Sequence, residues 1–337
     1  MDLSSLEPVP YDVSSPTTAG LYRGDGRFVK VLRSYRDWPM LPLLPEDFRR
    51  IALDTDLWRY EADVYLDGLA DSLPTGLRLP VLYDVQEPDP DHVVMVLEDV
   101  ETTDAPWDHD RYGLAAELLA RVNVRLTKND ALPAPVGRTP ERLTRAMVDG
   151  FVRRLVLPAL LDDDAVWTHP LLVDAHDVRH GLAELAARIP TILDDRAGRP
   201  QLLSHGDACP QNLLLQGDGF VAVDWSPNAM VAAGDDLGQL LIGRAHQGEL
   251  GVEEFAVLRE LVVDRYHAGL VAEGCESIGV DDVRAGMDGS LLLRSAFLSL
   301  PVGRLTWPIT PELAGLMKDR LDLTRFLLGL ETANLTA

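Results

Sequence analysis

Two hydrophobic rhythms divide the chain. Up to about residue 100 the apolar positions come in short runs separated by turn chemistry. Residues 12–35 read as strands. Leu21-Tyr22-Arg23 and Phe28-Val29-Lys30-Val31-Leu32 flank Gly24-Asp25-Gly26, and an Asp-Gly pair between short apolar runs predicts a hairpin. The stretch from Ser14 to Gly20 before it reads as a loop. Pro42 and Pro45 then punctuate the chain, and Glu46 to about Leu69 predicts a helix on an imperfect stripe of Phe48, Ile51, Leu57, Val64 and Leu69. Leu79 to Val85 and Val93 to Leu97 predict two further strands, with a turn over Gln86 to Asp91.

Beyond Leu97 the helical spacing takes over. It predicts helices over 110–126, 139–157, 174–188, 235–247, 252–273, 281–300 and 311–330. Strands with one helix followed by a mainly helical region imply an α+β organisation: a β-rich part over 1–98 and a larger helical part over 99–337, joined near Glu98-Asp99-Val100. There is no internal repeat and no low-complexity tract.

One segment inside the helical region breaks its rhythm. Leu202-Leu203 leads into Ser204-His205-Gly206-Asp207-Ala208-Cys209-Pro210-Gln211-Asn212, and Leu213-Leu214-Leu215 leads out. Gly217-Asp218-Gly219 then turns the chain into Phe220-Val221-Ala222-Val223, which ends at Asp224. Phosphoryl transfer needs these residue types together. An attacking hydroxyl requires an acceptor for its proton, a role for Asp207. A triphosphate requires a hard cation with few protein oxygens, roles for Asn212 and Asp224. An Asp-x4-Asn loop followed by a metal-binding Asp is the kinase arrangement.

His-Gly-Asp-x4-Asn, Val223-Asp224-Trp225 and Gly234-Asp235-Asp236-Leu237-Gly238 together resemble the aminoglycoside-phosphotransferase and choline-kinase superfamily. The resemblance extends over most of the chain, with residues 202–240 its specific part. It implies a bilobal protein-kinase-like fold, with Asp207 as catalytic base and Asn212 and Asp224 as Mg²⁺ ligands. It also implies that Asp236 braces the catalytic loop through backbone N–H groups. His205 is read as a structural tie of that loop. Trp225-Ser226 in place of Phe-Gly, and His-Gly-Asp in place of His-Arg-Asp, favour the small-molecule branch over a protein kinase.

The same resemblance gives Lys30 a role. A strand lysine can simply face solvent; here it is expected to hold the α- and β-phosphates of ATP or GTP and to pair with a helix glutamate. Glu61, in Arg59-Tyr60-Glu61-Ala62, is the expected partner, and Glu46, close to the helix start, is the alternative. No G-x-G-x-x-G and no Walker A sequence occurs. The loop over the phosphates is therefore expected at Ser14 to Gly20, with Thr17, Thr18 and Gly20 as donors, and Glu98 to Val100 is expected to read the base.

Charge narrows the partners. With 54 acidic against 31 basic side chains the net charge is -23, which argues against a nucleic-acid partner. It is compatible with a cationic, amine-bearing acceptor and equally with a diffuse solvated surface. Cys209 and Cys275 form no metal or redox spacing. Met1 to Pro16 does not read as a signal peptide and no apolar run approaches a membrane span, so a cytoplasmic enzyme without a membrane partner is expected. His176 and His180 read as a solvated helix face, Asp162-Asp163-Asp164 as a solvent-facing run, and Trp107, Trp167 and Trp307 as core. The expected function is a small-molecule kinase acting on a hydroxyl. Its acceptor is an aminoglycoside or related antibiotic, or else an amino alcohol or sugar. A pseudokinase-type binding module is the rival from another class.

Overall fold

The structure is a computed structural model that describes residues 3–12, 15–43, 46–53, 57–130, 138–225 and 229–334. Asp25 and Gly26 both take positive φ, 53° and 68°, which is the backbone a tight hairpin with right-handed twist requires. After a short β1 (Glu7–Pro8), they join β2 (Thr18–Gly24) to β3 (Arg27–Arg33). The helix expected as one piece from Glu46 is two, α1 (Glu46–Leu53) and α2 (Tyr60–Leu66), with a 3₁₀ turn at Leu57–Arg59 between them. The intervening Asp54-Thr55-Asp56, outside the described residues, is chemistry that favours caps over helix interiors. Gly68, at φ 81°, lies just past the end of α2 in the left-handed conformation common after helices.

Next come β4 (Leu77–Arg78), β5 (Leu82–Asp89) and β6 (His92–Glu98). The turn expected over Gln86 to Asp91 is shorter, because β5 stays paired with β6 as far as Asp89 opposite His92. Pro88 can sit inside β5 because that strand is an edge of the five-stranded sheet, whose order is β1-β2-β3-β6-β5, and an edge position needs no N–H.

The helical part contains α3 (His109–Lys128), α4 (Arg142–Met147), α5 (Asp164–Trp167) and α6 (His176–Gly198). Three-residue and four-residue strands follow: β7 (Gln201–Leu203), β8 (Leu213–Gln216), β9 (Gly219–Ala222) and β10 (Met230–Ala232). The chain ends in α7 (Asp235–Gln247), α8 (Val252–Ala272), α9 (Val280–Ser290) and α10 (Pro311–Asn334). The helices expected over 139–157 and 281–300 both widen into π-helical turns, at Val148–Val156 and Leu291–Ser295. Trp167 is core as expected, whereas Trp307 is 57% exposed and lies against the Arg304 guanidinium.

By contacts the chain forms two units. The first is 1–106, 125–137 and 212–228; the second is 107–124, 138–211 and 229–337. In the first unit the β8–β9 hairpin extends β4 into a three-stranded sheet, β9 running parallel to β4. One face of the larger sheet packs Leu32, Met95 and Leu97 on Trp58 and Ala62, so a side chain at Lys30 in β3, two residues from Leu32, points toward α2. In the second unit α9 packs so closely on the turn between β10 and α7 that a Cβ on Gly286 would lie 2.0 Å from the Ala233 carbonyl oxygen. The fully buried Arg196 ties this region together: it pairs with Glu141 and Asp235 and donates to the Gly286 carbonyl.

Candidate active site

Strand alternation and the packing of α2 bring Lys30 to two carboxylates. Its Nζ lies 2.6 Å from Glu61 Oε2 and 2.5 Å from Asp224 Oδ1. Lys30 and Glu61 are 10% exposed at the side chain and Asp224 56%. Burial by itself would lower the Lys30 ammonium, but the charges and hydrogen bonds of Glu61 and Asp224 outweigh it and hold its pKa above the ordinary lysine value. Burial pushes Glu61 upward against the opposing pull of Lys30. Lys30 is thus a fixed cation with one buried and one open counter-ion.

The β8–β9 hairpin sets the rest of this wall. Leu213 pairs with Ala222, and the Val223 N–H donates to the Asn212 carbonyl at 2.9 Å. Asn212 and Asp224 therefore emerge at the same end of the hairpin. Asp224 has φ 60°, an uncommon conformation for a non-glycine residue and one that clusters at functional sites.

These residues line a cavity of about 710 Å³, walled also by Leu97 to Thr102, Phe28, Leu214 and Val223. Its lining joins apolar side chains such as Phe28, Leu97, Leu214 and Val223 to many polar and charged ones, and a concave site of this kind suits a polar small molecule. Glu98 faces the cavity while its carboxylate takes both Arg78 Nη atoms, at 2.6 and 2.8 Å. That pairing holds the Glu98 carboxyl below its usual range, chiefly by hydrogen bonding. The Asp99 N–H is engaged by the Gly26 carbonyl, and no described residue bonds the Val100 backbone.

The expected phosphate loop is only partly at the cavity. Ser15 and Thr18 line it, Ser14 lies outside the described residues, and Thr17 and Gly20 are not part of the lining. The strand register shifts between Thr18 and Gly20. Such a bulge re-aims the following side chains, so Leu21 and Arg23 face the cavity instead. Tyr65 also lines it, with a buried hydroxyl that has no partner among the described residues. Tyr65 follows Glu61 by four positions on one helix, and that spacing is the signal that could have found it.

In the second unit the catalytic-loop candidate is held by backbone bonds. Asp236, at the start of α7, accepts from the His205 N–H at 3.0 Å, the Gly206 N–H at 2.9 Å and Asn123 Nδ2 at 3.0 Å. Burial, then the neighbouring Asp235 charge, raise the Asp236 carboxyl from 3.8 to about 6 against the pull of those donors. Gly206 takes φ 84°, a conformation glycine adopts without steric cost. The Asp207 N–H reaches the fully buried His205 at Nδ1, 3.3 Å away, and the Asp207 carbonyl accepts from Cys209 N–H at 2.8 Å. The Asp207 carboxylate is left 40% exposed. Arg294, which no local sequence pattern singles out, donates to the Gly206 carbonyl. Asp164 pairs with Arg179 and His180 with Glu184 at the surface. Among the described residues no group of three or more His, Cys, Asp or Glu could hold a metal. No described helix is long and apolar enough to cross a membrane.

Solved structures of small-molecule kinases share this architecture. The GDP and kanamycin complex of APH(2")-IIia is 13% identical with a TM-score of 0.51, covering 99% of this chain and 95% of that one. The chain has the fold of these kinases. The amicoumacin kinase hAmiN, in complex with AMP-PNP, Ca²⁺ and Ami, is 12% identical with a TM-score of 0.51 over 96% of this chain and 90% of that one. A choline kinase from Cryptosporidium parvum Iowa II is 13% identical with a TM-score of 0.50 over 100% and 90%. No family model and no curated protein matches the sequence.

Proposed function

We propose that this chain is a small-molecule kinase that moves the γ-phosphoryl group of ATP or GTP to a hydroxyl of a small, amine-bearing acceptor such as an aminoglycoside or a related antibiotic. The observation that carries the reading is Lys30 held between Glu61 and Asp224 at the edge of a cavity that Asn212 also lines. A buried cation with one open counter-ion is suited to receive phosphate oxygens. The nucleotides named for two fold neighbours support the same reading.

In this assignment residues 1–98 form the nucleotide lobe and 99–337 the catalytic and acceptor lobe. Lys30 holds the α- and β-phosphates, Glu61 orients Lys30, and the backbone at Glu98 to Val100 meets the base. Asn212 and Asp224 fit Mg²⁺, a hard ion content with one or two protein oxygens beside phosphate and water. Asp224 has the exposure to offer one. The ion would neutralise phosphate charge there. Asp207 orients the acceptor hydroxyl and takes its proton as the new P–O bond forms. His205 and Asp236 keep the loop that carries Asp207 in its bent conformation.

The test is thermal shift with ATP, GTP and AMP-PNP, with and without Mg²⁺. Turnover follows against aminoglycosides, amine-bearing peptide antibiotics, amino alcohols, neutral sugars and nucleosides at low and moderate salt. Asp207→Asn is expected to keep nucleotide binding and lower kcat by about 10²-fold or more. Unchanged turnover refutes the assignment of Asp207. Activity confined to neutral or anionic acceptors refutes the cationic acceptor alone, and Mg²⁺-dependent binding without turnover moves the reading to a regulatory module.

A further inference from the structure

The loop that presents Asp207 is held on both peptide units that flank Gly206. Asp236 takes the Gly206 N–H at 2.9 Å, and on the carbonyl side Arg294 Nη1 donates to the Gly206 oxygen at 2.8 Å. Gly206 stands immediately before Asp207 at φ 84°, so the orientation of the Gly206–Asp207 peptide, whose carbonyl Arg294 bonds, sets where the Asp207 carboxylate points. The same guanidinium lies 3.9 Å from Asp207 Oδ1 through Nη2 and 3.9 Å from Asp235 Oδ2 through Nη1. It therefore holds the carbonyl directly and faces the carboxylate with a positive charge.

Two further features mark Arg294 as more than a surface cation. It belongs to the π-helical turn Leu291–Ser295 that interrupts the helical path after α9. Such turns cost hydrogen-bond geometry and recur where a side chain has to be re-aimed at a functional site. Its side chain is only 27% exposed, and Leu291, Leu292, Leu293 and Ser295 around it are buried. A planar fork with several fixed donors can bond a carbonyl and face a carboxylate at once, and a lysine cannot reproduce that pattern.

We infer that Arg294 is a positioning residue for Asp207. It fixes the Gly206–Asp207 peptide through the carbonyl and steers the carboxylate toward the acceptor hydroxyl. The inference rests on Asp207 being the base. It places within the π-turn a determinant of the catalytic rate that makes no contribution to nucleotide affinity.

The experiment measures Mg-ATP hydrolysis, with water as acceptor, by release of radiolabelled phosphate, and Mg-AMP-PNP affinity by calorimetry. Parent, D207N, R294A, R294K and the R294A/D207N double variant are compared. R294A is expected to lower kcat by about 10–100-fold, the scale of a misplaced reacting group, with KM and AMP-PNP affinity unchanged within about twofold. R294K is expected to recover only part of the loss. Ethylguanidinium is expected to rescue R294A in a saturable way. On a D207N background the R294A loss should all but vanish, because a residue acting through Asp207 has nothing left to position. The inference is overturned if R294A hydrolyses ATP like the parent, if its effect falls on KM, or if its full factor persists on D207N. Should R294A lack a cooperative unfolding transition, R294K and R294K/D207N carry the same comparison. An unimpaired D207N on its own removes the base assignment, and that result is distinct from any failure of Arg294.

Discussion

Asp236 offers the sharpest energetic test. Its carboxylate is fully buried and serves three donors, the backbone N–H groups of His205 and Gly206 and the Asn123 amide. Its pKa stands at about 6 against 3.8 for a free side chain. Between those values the folded chain holds a proton that the unfolded chain has released, so this group makes unfolding easier as pH rises. The contribution is fully present below pH 4 and is lost as pH passes 6. At 1.36 kcal/mol per unit of pKa the shift amounts to about 3 kcal/mol.

Asp236→Asn removes the titration while keeping an acceptor oxygen. Denaturant unfolding of parent and D236N from pH 4 to 7 should therefore show the difference moving toward the mutant by about 3 kcal/mol as pH rises. Asp236→Ala instead strands the three donors. At about 1–3 kcal/mol for each unmet buried group, it should lose several kcal/mol at pH 4, where the charge cost is absent. Parallel pH profiles for parent and D236N would refute the burial argument. Full Mg-ATP turnover by D236N would refute the need for a charged brace under the Asp207 loop.

Three further substitutions bear on the site. Lys30→Met leaves Glu61 and Asp224 without their cation; it should weaken Mg-AMP-PNP binding at least about tenfold in calorimetry. Its stability deficit at neutral pH should shrink on acidification, because Glu61, already raised by burial, then takes up a proton, and a deficit independent of pH contradicts this. Asp224→Ala should abolish most of the Mg²⁺-dependent part of the thermal shift by nucleotide, and an undiminished shift removes Asp224 from the metal-binding proposal. Gly206→Ala must hold a side chain at φ 84°, a cost of about 1–2 kcal/mol readable as a lower Tm, with turnover falling more than Mg-AMP-PNP affinity; an unchanged Tm shows that the loop can relax.

Much of the molecule was legible because its causes are local. The Asp25-Gly26 turn, the apolar run around Lys30 and the helix of Glu61 each follow from neighbours a few residues away. So do the Asp207-to-Asn212 spacing and the hairpin that ends at Asp224. Helix termini such as Asp235 and Gln247 were legible for the same reason. Even the Lys30–Glu61 pair needed only strand alternation, the right helix face and the resemblance to say which glutamate to choose.

What the sequence left open depended on packing between distant segments. The single helix from Glu46 is two helices, and among the described side chains of that span the core takes Trp58, Tyr60, Ala62, Val64 and Leu69. The bulge after Thr18 moved the cavity-facing positions to Leu21 and Arg23, and no local pattern encodes a one-residue slip. Arg294 reaches Gly206 across 88 residues of chain. Spacing along the sequence determines which side chains share a face, and only the folded packing of helix on helix decides which faces meet. Asp207 and the loop that carries it could therefore be named from the sequence, whereas Arg294, which bonds that loop, appeared only in the folded chain.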